Sequence, residues 1–268
     1  MSGRIKAKLA KGEIATGFKI NLDSARAVEV VALSGFDSVW LDMEHIANDW
    51  GLIERQIWAA KARGIDAMVR VAKGSYSDYV RPLELDADCI MVPHVMSRRE
   101  AESIVRMTKF QPIGRRALDG GNADGDYCGI KTGEYLRRSN ETKIVIIQIE
   151  DPEAMEELDG IASVEGIDMI FFGPGDFWHG LGAEGNWWEH PAVLDARRKV
   201  AEAAIRHGKL AGTVASPESV KELSDMGYRF LNIGADVVGL RSYCESLLKN
   251  VGGGQGGMPG DSVYAKAK

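Results

Sequence analysis

Eight short apolar runs recur between residues 15 and 234, and longer helical patterns separate them. This alternation constrains the fold more tightly than any other feature of the chain. A strand cannot lie parallel to its predecessor without a crossover, and a helix is the crossover that also covers the sheet. The apolar runs are ATGFKI (15–20), DSVWLDM (37–43), DAMVRV (66–71), DCIMVP (88–93), KIVIIQIE (143–150), DMIFFG (168–173), KLAGTVA (209–215) and RFLNIG (229–234). Helical periodicity fills SARAVEVVALSG, WGLIERQIWAAKARG, SRREAESIVRMTKF and HPAVLDARRKVAEAAIRHG. Gly35, Gly64 and Gly208 fall just after helices, where left-handed capping glycines belong. Eight such units in about 250 residues match a (β/α)8 barrel. An open doubly wound sheet would carry a Gly-rich dinucleotide turn after its first strand, and none follows ATGFKI. The pattern therefore predicts one α/β domain, a (β/α)8 TIM barrel, over residues 1–250.

Two stretches depart from the repeat. Residues 110–142 form a long polar insert between strands four and five, too long for an idle connection and expected to be a lid or substrate loop. Residues 251–268 are Gly-rich and polar and read as a flexible tail. A formal net charge of −6 and only short basic clusters argue against a nucleic-acid partner. No apolar run is long enough to span a membrane, and the basic start has no apolar core of a secretory signal behind it. Cys89, Cys128 and Cys244 are widely spaced and odd in number, as expected of a cytoplasmic protein with packing cysteines.

A barrel of this kind builds its active site at the C-terminal ends of its strands. There the strands end in reactive residues: Lys19 and Asn21 on the first, then Asp42, Glu44 and His45, then Arg70, His94, Gln148 and Glu150, and Asp176 in the GPGD turn after the sixth. Singly, each has a plain structural reading. Asp42 and Glu150 could cap helices, Asp176 is a common turn residue, Arg70 could pair with a neighbouring carboxylate, and His190 marks a helix start. Gathered on one rim, these groups are costly without a ligand. Glu150 and Asp176, on adjacent strands, suit a hard divalent cation such as Mg2+, Mn2+ or Co2+. His45 has the pKa range of a general base, and Arg70 inside an apolar run requires an anionic partner, either a substrate carboxylate or a developing oxyanion.

The stretches GFDSVWLDMEH, MVPHV, QIEDPEAMEELDGIASVEGIDMIFFGPGDF and GYRFLNIGAD resemble the HpcH/HpaI class II pyruvate aldolases, in order over residues 13 to 245. The resemblance implies a barrel assembled as a homo-oligomer, a hexamer or trimer of dimers, with a swapped terminal helix. It also implies a lyase that cleaves or forms carbon–carbon bonds through a pyruvate enolate at a divalent metal. Carried over by position, Glu150 and Asp176 are the metal ligands, Arg70 stabilises the enolate oxygen, His45 is the base, and Asp42 supports the site. Gln148 lies near metal and ketoacid, and the backbone of Gly175 and Asp176 holds the pyruvate carboxylate. Glu84 stands where the family commonly has the aspartate that pairs with the catalytic histidine.

Other departures alter the substrate-facing side. Lys19 lies near a position typically held by tryptophan, Phe177-Trp178-His179 replaces Leu-Ser after the GPxD motif, and the loop from Pro112 to Ala117 lacks its last glycine. The expected reaction is cleavage or formation of a 4-hydroxy-2-ketoacid from a 2-ketoacid and an aldehyde. The rival on the same site is oxaloacetate decarboxylation, or a citrate-synthase-like condensation, to which Lys19 lends weight. A Schiff-base aldolase would need Lys19, since Lys143 opens strand five at the other end. A barrel that only binds its ligand would leave His45, Arg70, Glu150 and Asp176 unexplained.

Overall fold

The structure is a computed structural model, and it describes residues 3–252. Eight parallel strands close into a barrel in chain order, with β1 beside β8. They are β1 (Ala15–Ile20), β2 (Ser38–Asp42), β3 (Asp66–Arg70), β4 (Cys89–Val92), β5 (Ile144–Ile149), β6 (Met169–Phe172), β7 (Leu210–Ala215) and β8 (Phe230–Ala235). Seven of the expected segments contain or equal the observed strand, and β8 is displaced by one residue. The helices are α1 (Arg4–Leu9), α2 (Ala25–Leu33), α3 (Trp50–Ala62), α4 (Tyr76–Glu84), α5 (Arg98–Thr108) and α6 (Thr132–Thr142). They continue as α7 (Leu158–Ala162), α8 (Pro174–Gly180), α9 (Pro191–Arg206), α10 (Val220–Asp225) and α11 (Asp236–Asn250). Gly35, Gly64 and Gly208 do adopt positive φ, at 98°, 68° and 65°. Almost all of the Gly-rich tail expected at 251–268 lies outside the described residues.

Period-two alternation sorts each strand into two cores. Outward residues such as Val39, Leu41, Val69, Ile147 and Ile170 pack under the helices. Inward residues, among them Trp40, Met68, Met91, Ile146 and Phe171, fill the barrel, and Ile5 of α1 joins them from below. The same alternation lifts Asp42, Arg70 and Gln148 to the top layer, one step above Trp40, Met68 and Ile146.

Four strands are preceded or opened by aspartate, and these carboxylates are structural. Asp37 accepts from Thr16 N–H at 2.9 Å, Asp88 from Ala67 N–H at 2.9 Å, and Asp168 from Val145 N–H at 2.8 Å. Each ties its strand to the preceding one at the lower end. Asp66 accepts from the backbone of Arg4 and Ile5, both at 2.8 Å, and so holds α1 across the barrel floor.

The insert divides in two. Residues 132–142 are α6, an ordinary crossover helix returning the chain to β5. The rest rises along α4, where Ala117 N–H donates to the Tyr76 hydroxyl at 2.7 Å. A buried Arg116–Asp124 ion pair at 2.7 Å pins it, and the guanidinium lies 4.7 Å from the Phe110 ring centre.

Candidate active site

A cavity of about 620 Å3 opens at the C-terminal ends of the strands. Lys19, His45, Arg70, Gln148, Gly175 and Asp176 all line it, and no residue of the 110–142 insert does. Trp40 lies under the charged side: its ring centre is 4.7 Å from the Arg70 guanidinium and 5.2 Å from Lys19 Nζ.

Asp42 anchors this side. Its carboxylate accepts from Arg70 Nε at 3.0 Å and Nη2 at 2.5 Å, and Lys19 Nζ lies 2.8 Å away. Burial pushes the Asp42 carboxyl up, but the Arg70 fork and the Lys19 ammonium overcome it and hold the group well below the usual carboxylate range. The same carboxylate accepts from Glu44 N–H at 3.0 Å and His45 N–H at 3.5 Å. Asp42 therefore shapes the turn that delivers His45 to the cavity and also orients Arg70; the cap of the following helix is Asp49 instead. His45 is half exposed, with Nε2 3.4 Å from Glu44. Arg70 Nη1 reaches Glu44 at 2.9 Å.

Glu150 faces this group across the mouth. Its buried carboxyl is pushed up to about 7, first by desolvation and then by Asp176, against the pull of His94 and Arg70. His94 N–H donates to Glu150 Oε1 at 2.9 Å, and Gln148 Nε2 donates to Oε2. His94 sits at φ 52°, a left-handed conformation that folds its ring back over the rim, with Nδ1 3.0 Å from Asp151 and Nε2 3.4 Å from Glu44. Burial lowers the pKa of its imidazole, but Glu150, Asp151 and Glu44 together raise it above the ordinary value. The strand beside Glu150 ends in glycine for a steric reason: a Cβ on Gly173 would stand 2.6 Å from Glu150 Oε2 and 2.9 Å from Gln148 Nε2.

The family model for HpcH/HpaI aldolase/citrate lyase matches residues 16–242. The chain belongs to the HpcH/HpaI aldolase/citrate lyase family. It is 31% identical over 245 residues to a 5-keto-4-deoxy-D-glucarate aldolase of Shigella boydii, covering 91% of this chain and 94% of that one. It is 30% identical over 261 residues to a hydroxypyruvate/pyruvate aldolase of Pseudomonas aeruginosa, covering 97% and 96%. An HpcH/HpaI aldolase from Desulfitobacterium hafniense superposes with a TM-score of 0.87 at 29% identity, covering 95% and 98% of the two chains. The protein is thus an enzyme of carbon–carbon bond chemistry. No helix among the described residues is long and apolar enough to cross a membrane.

In this HpcH/HpaI barrel the donor set suits a divalent cation. Donor atoms of Glu44, His94 and Glu150 lie within 4.8 Å of one another, a group that omits Asp176. The acidic surroundings of His94 favour its protonated form, which has no lone pair for a metal. Without it, the group leaves the carboxylates of Glu44 and Glu150, oxygen donors of the kind a hard cation prefers, and Asp176 lines the cavity beside them. Gln148 Oε1 is buried without a hydrogen bond, and the Glu150 carboxylate is disfavoured by burial. A cation or its waters would relieve both.

Two findings differ from expectation. Glu84 is not brought to His45 within the chain, because α4 carries it away from the rim to its last turn, where its charged neighbours are Arg116, Asp124 and Arg81. Conversely, Glu44 and His94 are part of the site. Both stand among the strand-end residues read from the sequence, but the left-handed turn at His94, which brings the two together, leaves no periodic signal there.

Proposed function

We propose that this protein is a divalent-metal-dependent pyruvate aldolase that cleaves and forms 4-hydroxy-2-ketoacids. The observation that carries the reading is one ring of groups. Arg70, fixed by Asp42, faces Glu150 and Asp176 across a cavity whose open wall holds His45. Held by Glu150 and Asp176, Mg2+, Mn2+ or Co2+ would draw charge from the oxygens of the 2-ketoacid and acidify its adjacent carbon.

The chain's own residues supply the rest. The guanidinium of Arg70 takes the negative charge that develops on the keto oxygen, and because Asp42 already orients it, it needs no rearrangement as the charge forms. The first-turn N–H groups of Gly175 and Asp176 hold the ketoacid carboxylate, and Gln148, whose Nε2 donates to Glu150, orients that carboxylate. In the cleavage direction His45 takes the proton of the C4 hydroxyl, the C3–C4 bond breaks, and its electron pair passes to pyruvate as the enolate. Protonation at C3 completes pyruvate, and the aldehyde leaves. Lys19, paired with Asp42, is committed to that ion pair and not poised as a Schiff-base amine. Lys143 lies far from the rim, bonded to Asp86 and the Ala87 carbonyl.

A coupled assay for pyruvate released from a 4-hydroxy-2-ketoacid tests the reading. Turnover should require Mn2+ or Mg2+ and stop with EDTA. Full activity in EDTA would refute the metal, and activity on oxaloacetate alone would favour decarboxylation on the same residues.

A further inference from the structure

The rim cavity has two unlike walls. Lys19, Arg70, Gln148 and Asp176 make one, and a three-carbon ketoacid seated there leaves room beside it, even with the part of the roughly 620 Å3 that lies over Phe18, Phe36 and Ile233 set aside. The apolar part of the lining includes Trp187, Trp188, Val214, Ala215 and Pro217. Trp187 and Trp188 are 5% and 8% exposed and stack with ring centres 4.0 Å apart and planes 23° apart. The Ser216 hydroxyl is turned toward Ser219 at 3.5 Å, and Asn232 Nδ2 toward the Gly234 carbonyl at 3.4 Å. Asn232 Oδ1 and Trp188 Nε1 are the buried polar side-chain atoms of these residues left without a partner.

A polyhydroxylated aldehyde would find only Asn232 Oδ1 and Trp188 Nε1 to bond there and would leave its other hydroxyls against indole rings and aliphatic carbon, losing hydrogen bonds to water. A flat apolar body would stack instead and bury its area. Resting on the pyruvate-aldolase reading above, we infer that the aldehyde partner of this enzyme is an aromatic one, selected by the Trp187–Trp188 pair. The step needs no oxidant or reductant: pyruvate C3 gives up one proton, forms the bond to the aldehyde carbon, and the aldehyde oxygen receives a proton.

The test compares kcat/KM for benzaldehyde and glycolaldehyde with pyruvate and Mn2+. The wild type should favour benzaldehyde by at least about tenfold, the scale of one apolar group's discrimination. In Trp187→Leu and Trp188→Leu that ratio should fall about tenfold, and Trp188→Phe should retain it. Equal rates for the two aldehydes, or an unchanged ratio in both Leu variants, would overturn the inference. Calorimetric titration with benzyl alcohol reads the wall independently of catalysis. Saturable binding weakened in the Leu variants supports it even if the wild type exchanges no pyruvate C3 protons, a result that would defeat only the pyruvate reading. Absence of binding heat in the wild type counts against the aromatic wall itself.

Discussion

Arg70 is 3% exposed and sits among Asp42, Glu44 and Glu150, so its charge is both enclosed and compensated. Replacing it with alanine removes the group facing the developing oxyanion, and a loss of about 10^2–10^3 in kcat is expected. Lysine would restore the charge but not the two-pronged bond to Asp42, so Arg70→Lys should recover only part of the rate. His45→Ala should cost about 10^2–10^4, as loss of a general base does. Steady-state kinetics on variants with unchanged circular dichroism check both, and near-normal rates would remove either residue from the mechanism. Glu150 supplies a pH prediction. Its folded pKa is raised to about 7, so protons compete with a cation there. Mn2+ affinity should therefore rise as pH goes from 6 to 8, and Glu150→Gln should weaken it and flatten that slope. A pH-independent titration in the wild type would contradict the ligand assignment.

At the scale of elements, the barrel was legible because apolar runs repeat eight times and capping glycines such as Gly35, Gly64 and Gly208 mark the helix ends between them. Which polar residues face the barrel mouth was legible for a related reason. Period-two alternation from Trp40 to Asp42, or from Ile146 to Gln148, fixes the facing of each side chain without any tertiary information. Aspartates at the strand starts, such as Asp66 and Asp88, are chemically identical to Asp42, and only strand direction separates scaffold from site. What could not be read is geometry made between elements. The left-handed His94 and the placement of Glu84 at the end of α4 depend on how loops and helices pack. Helix α11 makes the same point. As the eighth crossover helix it should cover the outer side of β8 and β1, yet it buries no residue. It exposes Leu240, Tyr243 and Leu247 at i, i+3 and i+7, and outward-facing Phe18 and Ile233 on the two strands remain only partly covered. We propose that α11 is exchanged between copies, as the family resemblance implies. Leu240→Glu with Leu247→Glu should then lower the sedimentation coefficient in analytical ultracentrifugation; an unchanged coefficient would contradict the exchange.

Taken whole, the molecule separates stability from chemistry along the barrel axis. Its floor is closed by α1 and aspartates that accept backbone N–H groups. Its mouth carries charges that pair incompletely, with Glu150 driven toward its neutral form and Gln148 Oε1 left without a donor. Such an arrangement is costly unless a cation and an anionic substrate complete it. The central claim is that these groups ionise the methyl carbon of pyruvate. Proton NMR of pyruvate in deuterated water measures it directly. The account predicts loss of the methyl signal with enzyme and Mg2+ or, should paramagnetic broadening be controlled, Mn2+, with exchange abolished by EDTA and greatly slowed in Arg70→Ala. Exchange that persists in EDTA, or a methyl signal that never declines with metal present, would contradict it.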